Sequence, residues 1–167
     1  MRTTRQPVRG LDRLDRRILA LLQADGRISM KDLAEAVGLT ITPCIERVKR
    51  MERDGVIMGY YARLNPALLG SALLVFVEIT LNNKAGNMFE QFRREVLRIP
   101  EVMECHLVSG DFDYLIKARI REIGEYRRLL GDILLQLPGA AQSKSYVVME
   151  EIKETLAIPV DEKSQPA

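Results

Sequence analysis

Between Thr40 and Arg53 the chain gathers Arg47, Lys49, Arg50 and Arg53 behind Thr40, Thr42 and Pro43, with Glu46 and Glu52 interleaved. These residue types suit a polyanion. The planar fork of an arginine can bond guanine O6 and N7 together, worth about 1–3 kcal/mol of discrimination per base, while lysine meets phosphate as a point charge. Threonine hydroxyls and the free N–H groups of a helix N-terminus also reach base edges and phosphates. The competing reading of the same run is a solvated helix face, because mixed Arg, Lys and Glu decorate many surface helices.

Catalytic chemistry finds no comparable set. His106 is the single histidine, and the two cysteines, Cys44 and Cys105, have no CxxC partner from which to build a zinc site. The adjacent carboxylates Glu150 and Glu151 point to opposite faces of a strand and cannot share a substrate. No Ser/His/Asp or Cys/His set, phosphate-binding glycine loop or metal-spaced cluster is present. The expectation is a non-enzymatic protein with no metal. Cys44 and Cys105 read as small buried hydrophobes, and Met149 and Tyr146 as core or interface residues.

The elements that must position the basic run are legible from periodicity. In residues 11–24, Leu11, Leu14, Ile18, Leu21 and Leu22 recur at helical spacing, with Asp12 as a cap and Gly26 as a stop. A second helix starts at Ser29, whose side chain can cap the first turn, with Asp32 three residues on, and it runs to Gly38. A third is expected to open with Thr42 as cap and Pro43 at its first position, and to end near Asp54-Gly55. Residues 56–64, rich in β-branched and aromatic side chains, read as an extended wing. Three short helices and a wing outline a winged helix-turn-helix. With Cys44, Val48 and Met51 on its buried side, the third helix is expected to turn Glu46, Lys49, Arg50 and Arg53 outward, with Arg47 at the flank.

Beyond a hinge at 64–71 the pattern changes to strands. Residues 72–81, 102–109, 114–120 and 143–153 read as β, and residues 87–99 and 123–137 as helices. The order βαββαβ is the ferredoxin-like arrangement, with both helices on one face of a four-stranded antiparallel sheet. On the other face Leu74, Phe76 and Val148 are apolar while Glu78, Glu104, His106, Lys117, Arg119 and Glu150 are charged or polar. An apolar centre with a charged rim predicts a homodimer through this sheet, which would carry two recognition helices to one duplex.

Bulk properties agree with a two-part chain. Hydrophobic residues make up 47% and charged residues 29% of its 167 residues, as in ordinary globular proteins. No apolar run approaches the roughly 18 residues of a membrane span, so a cytoplasmic location is expected. The net charge of +2 conceals an asymmetry: residues 1–63 hold 13 Lys and Arg against 8 Asp and Glu, and the remainder 12 against 15. A basic front half, including Arg2, Arg5 and Arg9 in an N-terminal arm, points to nucleic acid.

Several blocks in register carry a resemblance over residues 11–153. In the front half they are Leu11-Asp12-Arg13-Leu14-Asp15 with Ile18-Leu19, Asp25-Gly26-Arg27-Ile28-Ser29, Thr42-Pro43-Cys44-Ile45-Glu46-Arg47-Val48 and Gly55-Val56-Ile57. In the back half they are Leu74-Val75-Phe76-Val77-Glu78-Ile79, the stretch from Glu104 to Tyr114, and Tyr146-Val147-Val148-Met149-Glu150-Glu151. On these residues the chain resembles the Lrp/AsnC (leucine-responsive regulatory protein, feast/famine) family of transcription regulators.

The resemblance implies a winged helix-turn-helix over 1–63, the hinge at 64–71, an effector-sensing and oligomerising βαββαβ domain over 72–155, and a tail at 156–167. It implies homodimers that assemble into octamers or related discs, double-stranded DNA as partner, and a small amino acid, leucine among the candidates, as effector with no other cofactor. DNA contact falls to Thr40, Thr42, Pro43, Arg47, Lys49, Arg50 and Arg53. Effector contact or response falls, by position, to Leu107, Ser109, Gly110, Asp111, Asp113, Tyr146, Val147 and Val148. In that setting Asp111 or Asp113 can receive an α-ammonium, N–H groups near Gly110 an α-carboxylate, and Leu107 with Val148 can shelter an aliphatic side chain. The competing reading of Gly110-Asp111-Phe112-Asp113 is a tight turn whose aspartates bond local backbone.

Two functions fit these features. One is a sequence-specific transcription regulator of amino-acid metabolism modulated by a metabolite; the alternative is an architectural nucleoid protein that bends DNA with weak sequence choice and no ligand. An RNA-recognition sheet is disfavoured, since the strand from Tyr114 lacks the stacking aromatics such a sheet needs.

Overall fold

A computed structural model of the chain describes residues 10–82 and 87–160. The arm arginines Arg2, Arg5 and Arg9, residues 83–86 of the connection after the first strand, and the tail from 161 lie outside the described residues. The chain divides into two compact units, one running up to Arg63 and rejoined by the segment from Glu154, the other spanning Leu64–Lys153.

In the first unit, helix α1 spans Arg13–Ala24. Asp12 caps it reciprocally: its carboxylate accepts the Asp15 N–H at 2.8 Å while the Asp15 carboxylate accepts the Asp12 N–H at 3.1 Å. Helix α2 (Met30–Val37) is capped by Ser29, whose hydroxyl oxygen accepts the Asp32 N–H. Gly38, at φ 73°, closes it with its one N–H shared between the Ala34 and Glu35 carbonyls, a left-handed conformation that glycine adopts without a Cβ clash.

Helix α3 spans Ile41–Arg53 with Thr40, not Thr42, as its N-cap. Pro43 therefore lies inside the first turn, not at its first position. Nothing is lost there, because the first i to i−4 bond is donated by the next residue, from Cys44 to Thr40. Ile18, Leu22, Leu33, Ala34, Val37, Cys44, Val48 and Met51 fill the core between the helices.

The expected wing strand at 56–64 is absent from the ladders: these residues pair with no neighbour among the described ones. A strand exists only with a partner, and the described residues of this unit provide no second β-rich run. The segment is instead set by its entry. Gly55 (φ 72°) ends α3 with bonds from Gly55 to Glu52 and from Val56 to Met51. The Tyr60 hydroxyl then donates back to Glu52 at 3.0 Å. The later segment returns to α1, where the Gln23 side-chain amide exchanges two hydrogen bonds with the Ile158 backbone at 2.9 and 2.7 Å.

The second unit holds β1 (Leu73–Leu81), α4 (Met88–Val96), β2 (Val102–Leu107), β3 (Tyr114–Ile120), α5 (Ile123–Arg127) and β4 (Ala140–Val147). The sheet order is β2-β3-β1-β4 and all its pairings are antiparallel, the βαββαβ arrangement expected from the sequence. Val75, Val77, Ile79 and Leu81 alternate into the core against Ile116, Ala118, Phe92 and Val96. Phe92 stacks on Tyr114 with ring centroids 4.0 Å apart.

Two elements differ most from the sequence expectation. The final helix is not uniform: α5 passes into wide π turns at Arg128–Ile133 and a tight turn at Leu134–Gln136. Leu129 and Leu134, five apart, are both buried, and a π turn brings i and i+5 to one face where an α turn would separate them. Strand β4 starts at Ala140 and stops at Val147, short of the expected 143–153. It pairs only with β1, which begins at Leu73, so beyond the bond from Val148 to Leu74 little strand remains to continue the ladder.

Candidate functional site

Helix α3 presents three stripes. Cys44, Val48 and Met51 are buried; Thr42, Glu46, Lys49 and Arg53 are exposed and recur every three or four positions, which places them on one outward face. The third stripe, Pro43, Arg47 and Arg50, faces α1. Arg47 Nη1 lies 2.6 Å from Asp12 Oδ2 and 2.8 Å from Asp15 Oδ1, and Arg50 Nη2 lies 2.5 Å from Asp15 Oδ2.

The side chain of Asp15 is 1% exposed. A carboxylate so placed persists as an ion only with partners, and the arginines supply them. Arg50 therefore does not stand on the outward face as expected from its neighbours in sequence; it is turned inward by a charge 35 positions away. Burial pushes the Asp12 carboxyl up, but the Asp15 N–H and the Arg47 guanidinium outweigh it and hold its pKa below the ordinary value. Bonding to Asp12 and Asp15 pushes Arg47 further up, keeping the cluster charged.

Thr40, Thr42, Lys49 and Arg53 remain exposed, with Pro43 half-buried, and Ile41, 47% exposed, adds an apolar tip at the helix start. Arg53 lies 3.6 Å from Asp54 at the other end. This face can offer hydroxyls, free helix N–H groups, a methyl-bearing side chain and two cations to a groove. Sequence reasoning named the basic residues, took Asp12 only as a cap and gave Asp15 no role; the signal was two acids three apart at the start of a helix otherwise lined with arginines.

The residues proposed for an effector fall in two places. Ser109, Gly110 and Asp111 are exposed in the β2–β3 turn, and Leu107 is 62% exposed beside them. Gly110 has φ 146° and open space where a Cβ would stand. Asp113 is different: it is 7% exposed, its carboxylate accepts the Leu81 N–H, and its own N–H donates to Ile79. Its carboxylate is buried and serves the sheet, whereas Asp111, the other carboxylate expected to meet an ammonium, is exposed.

Tyr146, Val147 and Val148 lie elsewhere. Val147 pairs with Val75 near the start of β1, whereas the turn flanks Tyr114, which pairs with Ile79 near its end. β2 and β4 are also opposite edges of the sheet, about 14 Å apart at the usual strand spacing. Tyr146 and Val147 moreover point to opposite faces. One chain does not bring the two groups together.

Most of the polar groups on the open sheet face pair with one another. Glu104 bonds His106 and Lys117, each at 3.1 Å; Tyr146 donates to Glu78 at 2.9 Å; Arg119 meets Glu151 at 2.6 Å. The bonds from His106 and Lys117 hold the Glu104 carboxyl below its ordinary pKa against some burial. Leu74, Phe76, Leu115 and Val148 are left as the apolar centre between these pairs. Among the described residues no group of His, Cys, Asp and Glu could hold a metal, and no helix is long and apolar enough to cross a membrane.

Comparison with known proteins agrees with this division. The family model for the Lrp/AsnC ligand binding domain matches residues 74–158, and that for winged helix-turn-helix DNA-binding matches residues 11–58. The leucine-responsive regulatory proteins of Salmonella typhimurium and Escherichia coli are each 56% identical over 151 residues, covering 90% of this chain and 92% of theirs. A transcriptional regulator from Neisseria meningitidis, solved as an L-Met complex, superposes with a TM-score of 0.86 at 33% identity, over 90% of this chain and 97% of that one. An AsnC family transcriptional regulator from Agrobacterium tumefaciens gives a TM-score of 0.85 at 36% identity, over 92% and 99%.

Proposed function

The chain belongs to the Lrp/AsnC family of transcription regulators, with a winged helix-turn-helix DNA-binding unit and a ligand-binding βαββαβ unit, and from that membership we propose how its residues divide the work. Helix α3 enters the major groove, with Thr40, Ile41 and Thr42 at base edges and phosphates and Lys49 and Arg53 on the backbone. Arg47 and Arg50 act behind it, fixing the helix on α1. The protein controls genes of amino-acid metabolism from the nucleoid, in the cytoplasm, and is not an enzyme.

The effector is a small amino acid. Leucine and methionine are the first candidates, on the names of the leucine-responsive relatives and of the L-Met complex. Ser109, Gly110 and Asp111 supply polar groups for its backbone and Leu107 an apolar wall. Tyr146, Val147 and Val148 join the site only from another copy, because within one chain they lie at the far edge of the sheet. The open sheet face, with most of its charges paired, forms a homodimer that assembles further.

The observation that carries this reading is the exposed outward stripe of α3 in a chain 56% identical to leucine-responsive regulators over nine-tenths of its length. The test is a thermal-shift screen against the twenty amino acids, followed by gel shifts of a duplex selected from a randomised pool, with and without the hits. A ligand that raises the melting temperature and changes duplex affinity 5- to 150-fold supports it. A ratio near one between selected and scrambled duplexes would establish the architectural alternative instead.

A further inference from the structure

We propose that Asp15, assisted by Asp12, is a positioning residue for sequence selectivity: it sets the roll of the recognition helix and withholds Arg47 and Arg50 from the DNA backbone. The inference rests on the reading of α3 as the DNA-contacting helix.

The geometry is a two-point clamp. Asp15 is fully buried, and each of its oxygens is taken from α3: Oδ1 by Arg47 and Oδ2 by Arg50, the latter oxygen also accepting the Asp12 N–H. Arg47 and Arg50 lie three apart on one flank, so both bonds pull the same stripe of α3 against the N-terminal end of α1. The buried stripe Cys44, Val48 and Met51 already limits the roll of α3, and one bond would add a single restraint to it. Two, on different oxygens of one carboxylate, fix its rotation, and with it the direction in which Thr42, Glu46, Lys49 and Arg53 point.

The charge count has a second consequence. Asp12, Asp15, Arg47 and Arg50 sum to zero, so the outward face of α3 carries Lys49 and Arg53 against Glu46. Each further cation placed on a phosphate adds affinity for any duplex, whatever its sequence. Two guanidiniums held on carboxylates remove that contribution. The clamp therefore lowers affinity for random DNA, and by holding α3 in one orientation it keeps the base-edge contacts that only a preferred site rewards, which maintains the ratio between them.

Asp15→Asn and Asp12→Asn test this in the full-length chain. Asparagine at position 12 keeps an oxygen for the Asp15 N–H, so the cap survives while the charge on Arg47 loses one of its two partners. Affinity for a duplex selected by the wild type and for a scrambled duplex is measured across a salt series. Expected for Asp15→Asn is tighter binding to the scrambled duplex by about tenfold, a reduced selected-to-scrambled ratio, and a log–log salt slope steeper by up to about two, since each released cation adds about 0.9. For Asp12→Asn, where Asp15 still holds Arg47, the slope steepens by a fraction of one, up to about 0.9.

A purely structural role predicts the reverse, weaker binding to both duplexes with no steeper slope, and that result overturns the proposal. If Asp15→Asn does not fold, Asp12→Asn decides by the same slope. A wild type that does not distinguish the duplexes defeats the regulator reading and the selectivity half of the proposal with it, and the slopes on scrambled DNA then still support or overturn the withholding of the arginines. Wild-type slopes in both variants overturn it in every case.

Discussion

The carboxylate of Asp113 accepts the backbone N–H of Leu81 at 2.9 Å, joining the turn between β2 and β3 to the end of β1 across 32 positions of sequence. A residue that the sequence offers as a ligand contact is thereby a fastener between this turn and β1.

Asp113→Ala should leave the Leu81 N–H without its acceptor and cost about 1–3 kcal/mol in denaturant unfolding, with Asp113→Asn costing less because it retains an oxygen. In thermal-shift titrations with the effector, the asparagine variant should keep the wild-type response. A folded Asn variant that had lost the response would assign the carboxylate itself to the ligand.

Arg50 and Lys49 are neighbours in sequence with opposite expected phenotypes. Arg50→Ala removes one arm of the ion pair on buried Asp15 and should lower stability by about 2 kcal/mol, less than the fully buried case because Arg50 keeps some exposure. Lys49→Ala should change stability by no more than about 0.5 kcal/mol and flatten the salt slope of DNA binding by about 0.9. Chemical melts and gel shifts across a salt series separate the two.

The pH dependence of the cap has a defined sign. Asp12 titrates below its ordinary value of 3.8 in the folded chain, so its contribution is complete above that value and is lost as pH falls through the depressed one. The stability difference between wild type and Asp12→Asn should be level from about pH 5 to 8 and shrink below about pH 4. A difference that instead grew on acidification would contradict the ion pair with Arg47.

Phe76 lies on the open sheet face between Lys117 and Tyr146. Phe76→Glu should place a charge in the apolar centre of the proposed dimer and dissociate it, read by sedimentation velocity alongside an unchanged far-ultraviolet spectrum. An unaltered assembly would move the interface to another surface.

Much of the architecture was legible before any coordinates. The Ser29 cap, the stop at Gly38, the buried stripe Cys44-Val48-Met51 and the alternation of Val75, Val77 and Ile79 follow from the sterics of near neighbours, which repeat at 3.6 or 2 residues whatever the rest of the chain does. The sequence also marked α3 as cationic and the β2–β3 turn as carboxylate-bearing, because composition is local information.

Only the tertiary structure decided where those charges go. Nothing near Arg50 announces that its partner is a buried carboxylate on α1, nor anything near Asp113 that it would serve the end of β1. The length of β4 depended on where β1 begins, and the π turns on the need to bury Leu129 and Leu134 together. Each of these is an interaction between segments far apart in sequence, fixed when the core closes and the remaining polar groups must find partners at whatever position the packing leaves them.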